Sequence, residues 1–183
     1  LSNPYTIAYE TIDTTINVFV KIATTDGIVG FGCAAPDLEV TGETSESVIK
    51  TCDDIIEPML KGSDPLRYAY QLNKLTEQRK IHPSAVAMID MALFDIVGKR
   101  ANLPIYKMLG GFREKMKTSI TIGILPLKET VETAKKYIED GFSILKIKGG
   151  LDVDEDVERI KKVRELVGSS VLLRFDANQG YSV

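Results

Sequence analysis

The sequence has very few of the side chains that form zinc and redox motifs. It contains 2 cysteines and 1 histidine in 183 residues. Cys33 and Cys52 match no metal or thiol–disulfide spacing, and Cys52 falls on the apolar face of a predicted helix, where a thiol acts as a small hydrophobic group. His82 directly precedes a proline, which favours a loop or a helix start. The sequence therefore disfavours a zinc site and indicates a reduced, cytoplasmic setting.

Long apolar runs and runs of one charge are also absent. No apolar stretch approaches the roughly 18 residues that a membrane helix needs, and the net charge is −3 without a basic run or an acidic tail. These features favour neither nucleic acid nor a membrane as partner. The start, LSNPYTIAYE, has no signal-peptide pattern and no initiator Met. We therefore expect a chain that is trimmed or incomplete.

Antiparallel strands are predicted at the beginning of the chain. TINVFVKIAT and IVGFGCA have the alternating pattern of strands, and Asp26-Gly27 between them is a hairpin signal. Residues 5–34 are therefore predicted to form one antiparallel meander.

Helices are predicted after this meander. They are one capped by Thr44 and ending at Gly62, one opened by Asp64-Pro65, and one from Pro83 to Val97 that Gly98 closes. The third is apolar nearly all round, so it should be buried on most sides. Asp90 and Asp95 interrupt it, and we expect both carboxylates to be paired.

A β-α-β-α-β pattern with short connections begins after residue 115. SITIGI, FSILKIKGG and SSVLLRFDANQG predict strands, so this part predicts a parallel sheet with right-handed crossovers. The 28-residue spacing of Lys148 and Asp176 fits both a β/α barrel and an open doubly wound sheet. The absence of a Gly-rich dinucleotide fingerprint weakens the second alternative. Three strands cannot close a barrel of about eight, so the sheet is either open or part of a larger protein.

Strand alternation places polar side chains of the last two strands on one face. This face carries Ile144, Lys146 and Lys148 on one strand, and Leu172, Arg174, Asp176 and Asn178 on the next. The opposite apolar faces, including Leu145, Ile147, Val171, Leu173 and Phe175, should meet the helices. The polar residues would then line the carboxyl end of a barrel, where active sites of such barrels lie.

Two lysines beside one carboxylate are suited to proton abstraction near a metal. A lysine acts as a base only if its pKa falls from about 10.4, and a neighbouring ammonium and partial burial both disfavour the charged form. Lys148 is nearer the strand end and is the predicted base, with Lys146 tuning it and holding an anionic substrate. Asp176 offers the hard oxygen that Mg²⁺ prefers, Arg174 a charge partner and Asn178 a polar contact. The alternative is an edge strand with one solvated face, followed by a polar turn.

Three stretches resemble the enolase superfamily, in its muconate-lactonizing subgroup. They are AVAMIDMALFDIVGKRANLPIYKMLGG, LKIKGG and RFDANQGYS, and the resemblance extends over essentially the whole chain. It implies an α+β capping domain over 1–115 and the first strands and helices of a β/α (TIM-like) barrel over 116–183. It also implies three carboxylates that bind Mg²⁺, removal of the proton α to a substrate carboxylate, and stabilisation of the enediolate by the metal.

The resemblance assigns roles to individual residues. Lys148 is implied as the base, Lys146 as its neighbour and Asp176 as the first metal ligand. The implied substrate-binding residues are Asn178, Arg174, Thr41 and Thr121. The remaining metal ligands and a second base are expected beyond Val183, so the 183-residue chain alone is expected to be inactive.

Within the subgroup, PDLEVTGETSESV is similar to the mobile capping-domain loop of dipeptide epimerases, which act on Ala-Glu-like dipeptides. Muconate cycloisomerases and o-succinylbenzoate synthases share the scaffold and stay as alternatives. Cys33 stands where family members often carry Glu. We expect a homo-oligomer that acts on a small-molecule carboxylate.

Two hypotheses of other classes stay open. Lys148 could form a Schiff base, as in barrel aldolases, with Gly149-Gly150 binding a phosphate. The chain could instead be an inactive fragment whose role is association.

Overall fold

The computed structural model describes residues 4–78 and 81–182. They form two compact units, which we name the helical unit (Ile16–Phe112) and the sheet unit (up to Thr15, and from Arg113 onward). The sequence-based division near residue 115 placed the first residues with the helices. In the structure, residues 4–15 cluster with the sheet unit, and the Ile124 N–H donates a hydrogen bond to the Thr6 carbonyl at 2.8 Å. The domain boundaries stay a prediction.

Two separate antiparallel strand pairs occupy the beginning of the chain. They are β1 (Tyr5–Thr6) with β2 (Thr11–Ile12), and β3 (Val18–Ala23) with β4 (Val29–Ala34). The β3–β4 hairpin confirms the prediction for that stretch. The single meander over 5–34 was wrong, because a tight turn between Ile7 and Glu10 closes the first pair by itself.

The helical unit continues with helices around a buried central one. Its described helices are α1 (Leu38–Thr41), α2 (Ser45–Thr51), α3 (Glu57–Leu60), α4 (Tyr68–Thr76), α5 (Pro83–Ala101) and α6 (Ile105–Met108). A π-helical segment, Cys52–Ile56, joins α2 to α3, and a 3₁₀ turn, Pro65–Arg67, precedes α4. As predicted, the Thr44 side chain caps α2 by accepting from the Ser47 N–H.

The buried helix α5 is longer than predicted. It passes through Gly98 and ends at Ala101, where Asn102 takes the left-handed conformation with φ 53°. The predicted stop at Gly98 was wrong because this glycine makes room for packing: a Cβ there would lie 2.6 Å from Ile105 Cδ1. His82 occupies the N-cap position of α5, a helix start as expected.

The two acids of α5 differ in their partners. Asp95 is paired as predicted: it accepts from the Phe31 N–H at 3.0 Å and from Lys99 Nζ at 2.7 Å. Asp90 has a buried Oδ1 without a hydrogen-bond partner among the described residues, so the predicted pairing was wrong there.

The sheet unit has the predicted β-α-β-α-β order. Its elements are β5 (Ile120–Ile122), α7 (Leu127–Glu139), β6 (Ile144–Lys148), α8 (Val153–Val167) and β7 (Leu172–Asp176). The strands are parallel in the order β5-β6-β7. Leu145, Ile147 and Leu173 pack with the helices, as predicted. Phe175 does not join them; it is 40% exposed and stacks on the Tyr181 ring instead.

No helix in the described part of the chain is both long enough and apolar enough to cross a membrane.

Candidate active site

The register of β6 and β7 brings the predicted site residues together. Lys146 is the Cα partner of Arg174, and Lys148 is the Cα partner of Asp176. Registered partners in a parallel pair point to the same face of the sheet. The charged side chains therefore lie on one face at the carboxyl ends of neighbouring strands.

Both lysines donate to one oxygen of Asp176. The Oδ2 atom lies 2.7 Å from Lys146 Nζ and 2.9 Å from Lys148 Nζ. Lys148 Nζ also donates to Asn178 Oδ1 at 2.6 Å, and the Asn178 N–H donates to Asp176 Oδ1 at 3.0 Å. Lys148 is only 8% exposed, so this side chain sits at the inner end of the cluster. The predicted meeting of two amines and one acid is confirmed.

The cluster keeps its acid ionised. Hydrogen bonds from Lys146 and Lys148, followed by that of the Asn178 N–H, hold the pKa of Asp176 far below its ordinary value, against the opposing effect of burial. Two amines thus face one ionised carboxylate.

The other predicted substrate-binding residues lie in different parts of the chain. Thr121 is the Cα partner of Lys146 on β5, so it faces the same side of the sheet. Arg174 is exposed and has no ion pair with any described residue, so the expected charge partnership was wrong. Thr41 belongs to the helical unit, where its hydroxyl donates to the Asp37 carbonyl at 2.8 Å. The functional roles of these residues stay predictions.

The backbone amides of Gly149 and Gly150 form hydrogen bonds within the protein, whereas the Schiff-base alternative required them to bind a phosphate. The Gly149 N–H donates to the Asp176 carbonyl at 3.1 Å, and the Gly150 N–H donates to Asp156 Oδ2 at 2.8 Å. A Cβ at Gly149 would lie 2.5 Å from the Asp156 carboxylate. Both amides are therefore occupied within the protein, and the glycines serve close packing.

Sequence reasoning missed Asp156, which lies on α8 between the last two strands. Asp156 is 2% exposed and forms a salt bridge with Arg159, which is 4% exposed. The signal was present: both fall on the same stripe of α8 as the buried Val163. An oppositely charged pair on an apolar stripe indicates a buried ion pair.

Asp176 is the carboxylate at the carboxyl end of β7. Among residues 4–78 and 81–182, no group of three or more His, Cys, Asp or Glu side chains could hold a metal ion. Asp176 can therefore supply one ligand, and a complete set requires others.

Known families and proteins match nearly the whole chain. Residues 1–110 match "Mandelate racemase / muconate lactonizing enzyme, N-terminal domain", and residues 129–183 match "Enolase C-terminal domain-like". The L-Lys-D/L-Arg epimerase of Desulforapulum autotrophicum is 45% identical over 100% of this chain and 52% of that protein. The L-Ala-D/L-Glu epimerase of Bacillus subtilis is 36% identical over 99% of this chain and 50% of that protein.

Solved structures of dipeptide epimerases also match this chain. A dipeptide epimerase from Enterococcus faecalis, complexed with Mg and the dipeptide L-Leu-L-Tyr, matches with a TM-score of 0.94 at 34% identity. The match covers 99% of this chain and 51% of that chain. The chain spans about half the length of the curated relatives that it matches. It carries the N-terminal capping domain and the beginning of the enolase-type barrel, and it belongs to the mandelate racemase / muconate lactonizing enzyme family.

Proposed function

We propose that this chain supplies the Lys-Lys-Asp part of the active site of a Mg²⁺-dependent dipeptide epimerase. The observation that carries the proposal is the meeting of Lys146 and Lys148 at one oxygen of Asp176, within 2.9 Å. The relatives named as epimerases support the reaction class, and the two amines provide what removal of an α-proton requires.

The two lysines have different roles in the proposed reaction. Lys148, the less exposed of the two, takes the proton from the α-carbon in its neutral form, and the electron pair of the C–H bond moves into the substrate carboxylate. Lys146 remains charged and lies close to the negative charge that develops there. A fixed cation near a developing anion lowers the barrier to removing so weak an acid. Inversion then requires a second acid, from outside the Lys-Lys-Asp cluster, that delivers a proton to the opposite face of the carbon.

Asp176 fits Mg²⁺ as one member of a ligand set. Its pKa is held well below the ordinary value by the two lysine hydrogen bonds, so it stays an anionic oxygen donor, which this ion prefers. Mg²⁺, when bound, supplies positive charge that stabilises the charge developing on the substrate carboxylate. Residues 4–78 and 81–182 provide no complete ligand set of this kind, so we propose that the 183-residue chain alone does not turn over substrate.

The substrate we propose is a dipeptide. Curated relatives are named for Lys-Arg and for Ala-Glu dipeptides, and the ammonium of Lys146 suits a carboxylate-bearing substrate. The muconate-type and o-succinylbenzoate reactions remain alternatives, since they begin with the same kind of carboxylate.

Deuterium incorporation tests this function directly. The intact protein that contains this chain is incubated in D₂O with Mg²⁺ and either L-Ala-L-Glu or L-Lys-L-Arg. We expect α-deuterium and a second epimer to appear for at least one dipeptide, and EDTA to abolish both. Absence of exchange across a wider dipeptide library would contradict the proposal. Trapping of a substrate adduct by borohydride would favour the Schiff-base alternative.

A homo-oligomer and a cytoplasmic location also remain predictions. Sedimentation velocity of the intact protein tests the first, and cell fractionation tests the second.

A further inference from the structure

The sheet unit contains a second cluster of charged groups, outside the lysine site. Asp156 and Arg159 lie one turn apart on α8, and both are at least 96% buried. Burying two charges is costly, and their mutual attraction offsets the cost only when additional hydrogen bonds satisfy the remaining donors and acceptors. The partners of this pair therefore indicate what it does.

Those partners come from the ends of three successive strands. Arg159 Nη1 donates to the carbonyl of Leu125, which follows β5, at 3.0 Å. Asp156 Oδ2 accepts from the N–H of Gly150, which follows β6, at 2.8 Å. The same oxygen accepts from the hydroxyl of Tyr181, which follows β7. One ion pair thus holds the loops after all three strands.

The backbones of the loops after β6 and β7 also pack directly against each other. A Cβ at Gly150 would lie 2.2 Å from the Ala177 carbonyl oxygen, and one at Gly180 would lie 2.1 Å from the Gly150 oxygen. The Gly149 N–H donates to the Asp176 carbonyl. Because the two backbones are in contact, a displacement of the segment after Lys148 also displaces the segment after Asp176.

We propose that Asp156, Arg159 and Tyr181 are positioning residues that keep the ends of β5, β6 and β7 at the spacing at which Lys148 and Asp176 meet. The side-chain hydrogen bonds of these three residues go to one another and to the segments that follow the strands, so they act through the strand ends. The effect on catalysis rests on the proposed function, whereas the effect on the loops does not.

The chemistry of Tyr181 agrees with this role. Loss of water around its hydroxyl and the neighbouring Asp156 carboxylate raise the pKa of Tyr181 to about 12. An ordinary phenol is already protonated at neutral pH, and the raised pKa extends this hydrogen-bond donor state to higher pH. Its ring also stacks on Phe175, the neighbour of Asp176 in β7, with centroids 6.4 Å apart.

Tyr181→Phe is the most informative variant, because it deletes one hydrogen bond and leaves no buried charge unpaired. Asp156→Asn is the second variant and removes the charge that faces Arg159. The matched control is Glu165→Gln, since Lys162 and Glu165 form a pair of the same i,i+3 spacing on α8 but are 49% and 64% exposed. Circular dichroism and thermal unfolding verify that each variant folds.

Two measurements on the intact protein test whether these residues position the strand ends. Hydrogen-exchange mass spectrometry follows residues 144–152, and deuterium exchange at the substrate α-carbon gives kcat and KM. For Tyr181→Phe we expect amide exchange in 144–152 to rise about tenfold and kcat to fall about tenfold, with KM changed less than about twofold. Glu165→Gln should change none of these.

The outcomes separate the two proposals. A folded Tyr181→Phe protein with wild-type amide exchange in 144–152 would overturn the positioning role, as would faster exchange with an unchanged kcat. If Asp156→Asn does not fold, Tyr181→Phe alone decides. If the wild-type protein shows no α-proton exchange, the proposed function fails, and the amide exchange of 144–152 still tests whether Tyr181 holds the loop.

Discussion

Replacing Asp176 by Asn leaves the ammonium groups of Lys146 and Lys148 facing each other without a negative charge between them. In the native cluster both amines lie within 2.9 Å of one Asp176 oxygen. Asn keeps the shape of the side chain but removes the charge, so the variant isolates the electrostatic contribution. The Lys148 side chain is 10% exposed and that of Asp176 is 31% exposed, so water screens the pair only in part.

The magnitude follows from the distance and the exposure. At the 2.9 Å separation of Lys148 and Asp176, Coulomb's law gives about 6 kcal/mol for an effective dielectric constant of 20 and about 1.4 kcal/mol in bulk water. Because one partner is nearly a third exposed, the value lies toward the lower limit. We expect a coupling free energy of about 2 kcal/mol between the two side chains.

A double-mutant cycle measures this coupling. The free energy of unfolding in urea is determined for the intact wild type, Asp176→Asn, Lys148→Met and the double variant. Asp176→Asn should cost about 2 kcal/mol less in the Lys148→Met background than in the wild type. The control cycle uses Lys50 and Asp54, whose atoms are 2.7 Å apart but whose side chains are 76% and 57% exposed.

The control pair should show a coupling below about 0.5 kcal/mol, as exposed pairs do. A coupling between Lys148 and Asp176 no larger than that of the control would refute the reasoning, because it would mean that burial does not strengthen the cluster.

Three further predictions follow from the same residues. The folded-state pKa of Asp176 lies below its unfolded value, so the stabilisation that this carboxylate provides is present above about pH 4 and is lost as the pH falls further. The difference in the free energy of unfolding between wild type and Asp176→Asn should therefore shrink from pH 7 to pH 3. A difference that stays constant over this range would contradict the prediction. Gly150→Ala should lower the free energy of unfolding by about 3 kcal/mol or more, because the added Cβ clashes with Ala177 and the backbone φ is positive. The control Gly168→Ala has a positive φ but open space around it, so it should cost only about 1–2 kcal/mol. Equal costs for the two variants would rule out the clash. The isolated 183-residue chain should give no α-deuterium in the D₂O assay, and measurable turnover would contradict that expectation.

The meeting of Lys148 and Asp176 could be predicted because it depends on local patterns. Alternation along each strand and a parallel register are enough to put both side chains on one face. Features that depend on distant packing were missed. Gly98 lies inside α5, where Ile105 packs against it, and the first strand pair is closed by its own turn between Ile7 and Glu10.

Arg174 shows the limit of the face argument. It shares the strand face of Asp176, yet its long side chain is exposed and not paired within the described residues. Asp156 shows the opposite case, since it is buried with partners from two strand ends and with Arg159 on its own helix. A charge in a mixed helical sequence does not reveal by itself whether such partners converge on it.

The exchange rate of the Lys148→Met variant tests the central claim most directly. The intact protein and its Lys148→Met and Lys161→Met variants are compared in D₂O with the preferred dipeptide; Lys161 is exposed on α8 and serves as the matched control. We predict that Lys148→Met lowers the rate of α-deuterium incorporation by about 100-fold or more, while Lys161→Met leaves it unchanged. Wild-type exchange in folded Lys148→Met would contradict the account.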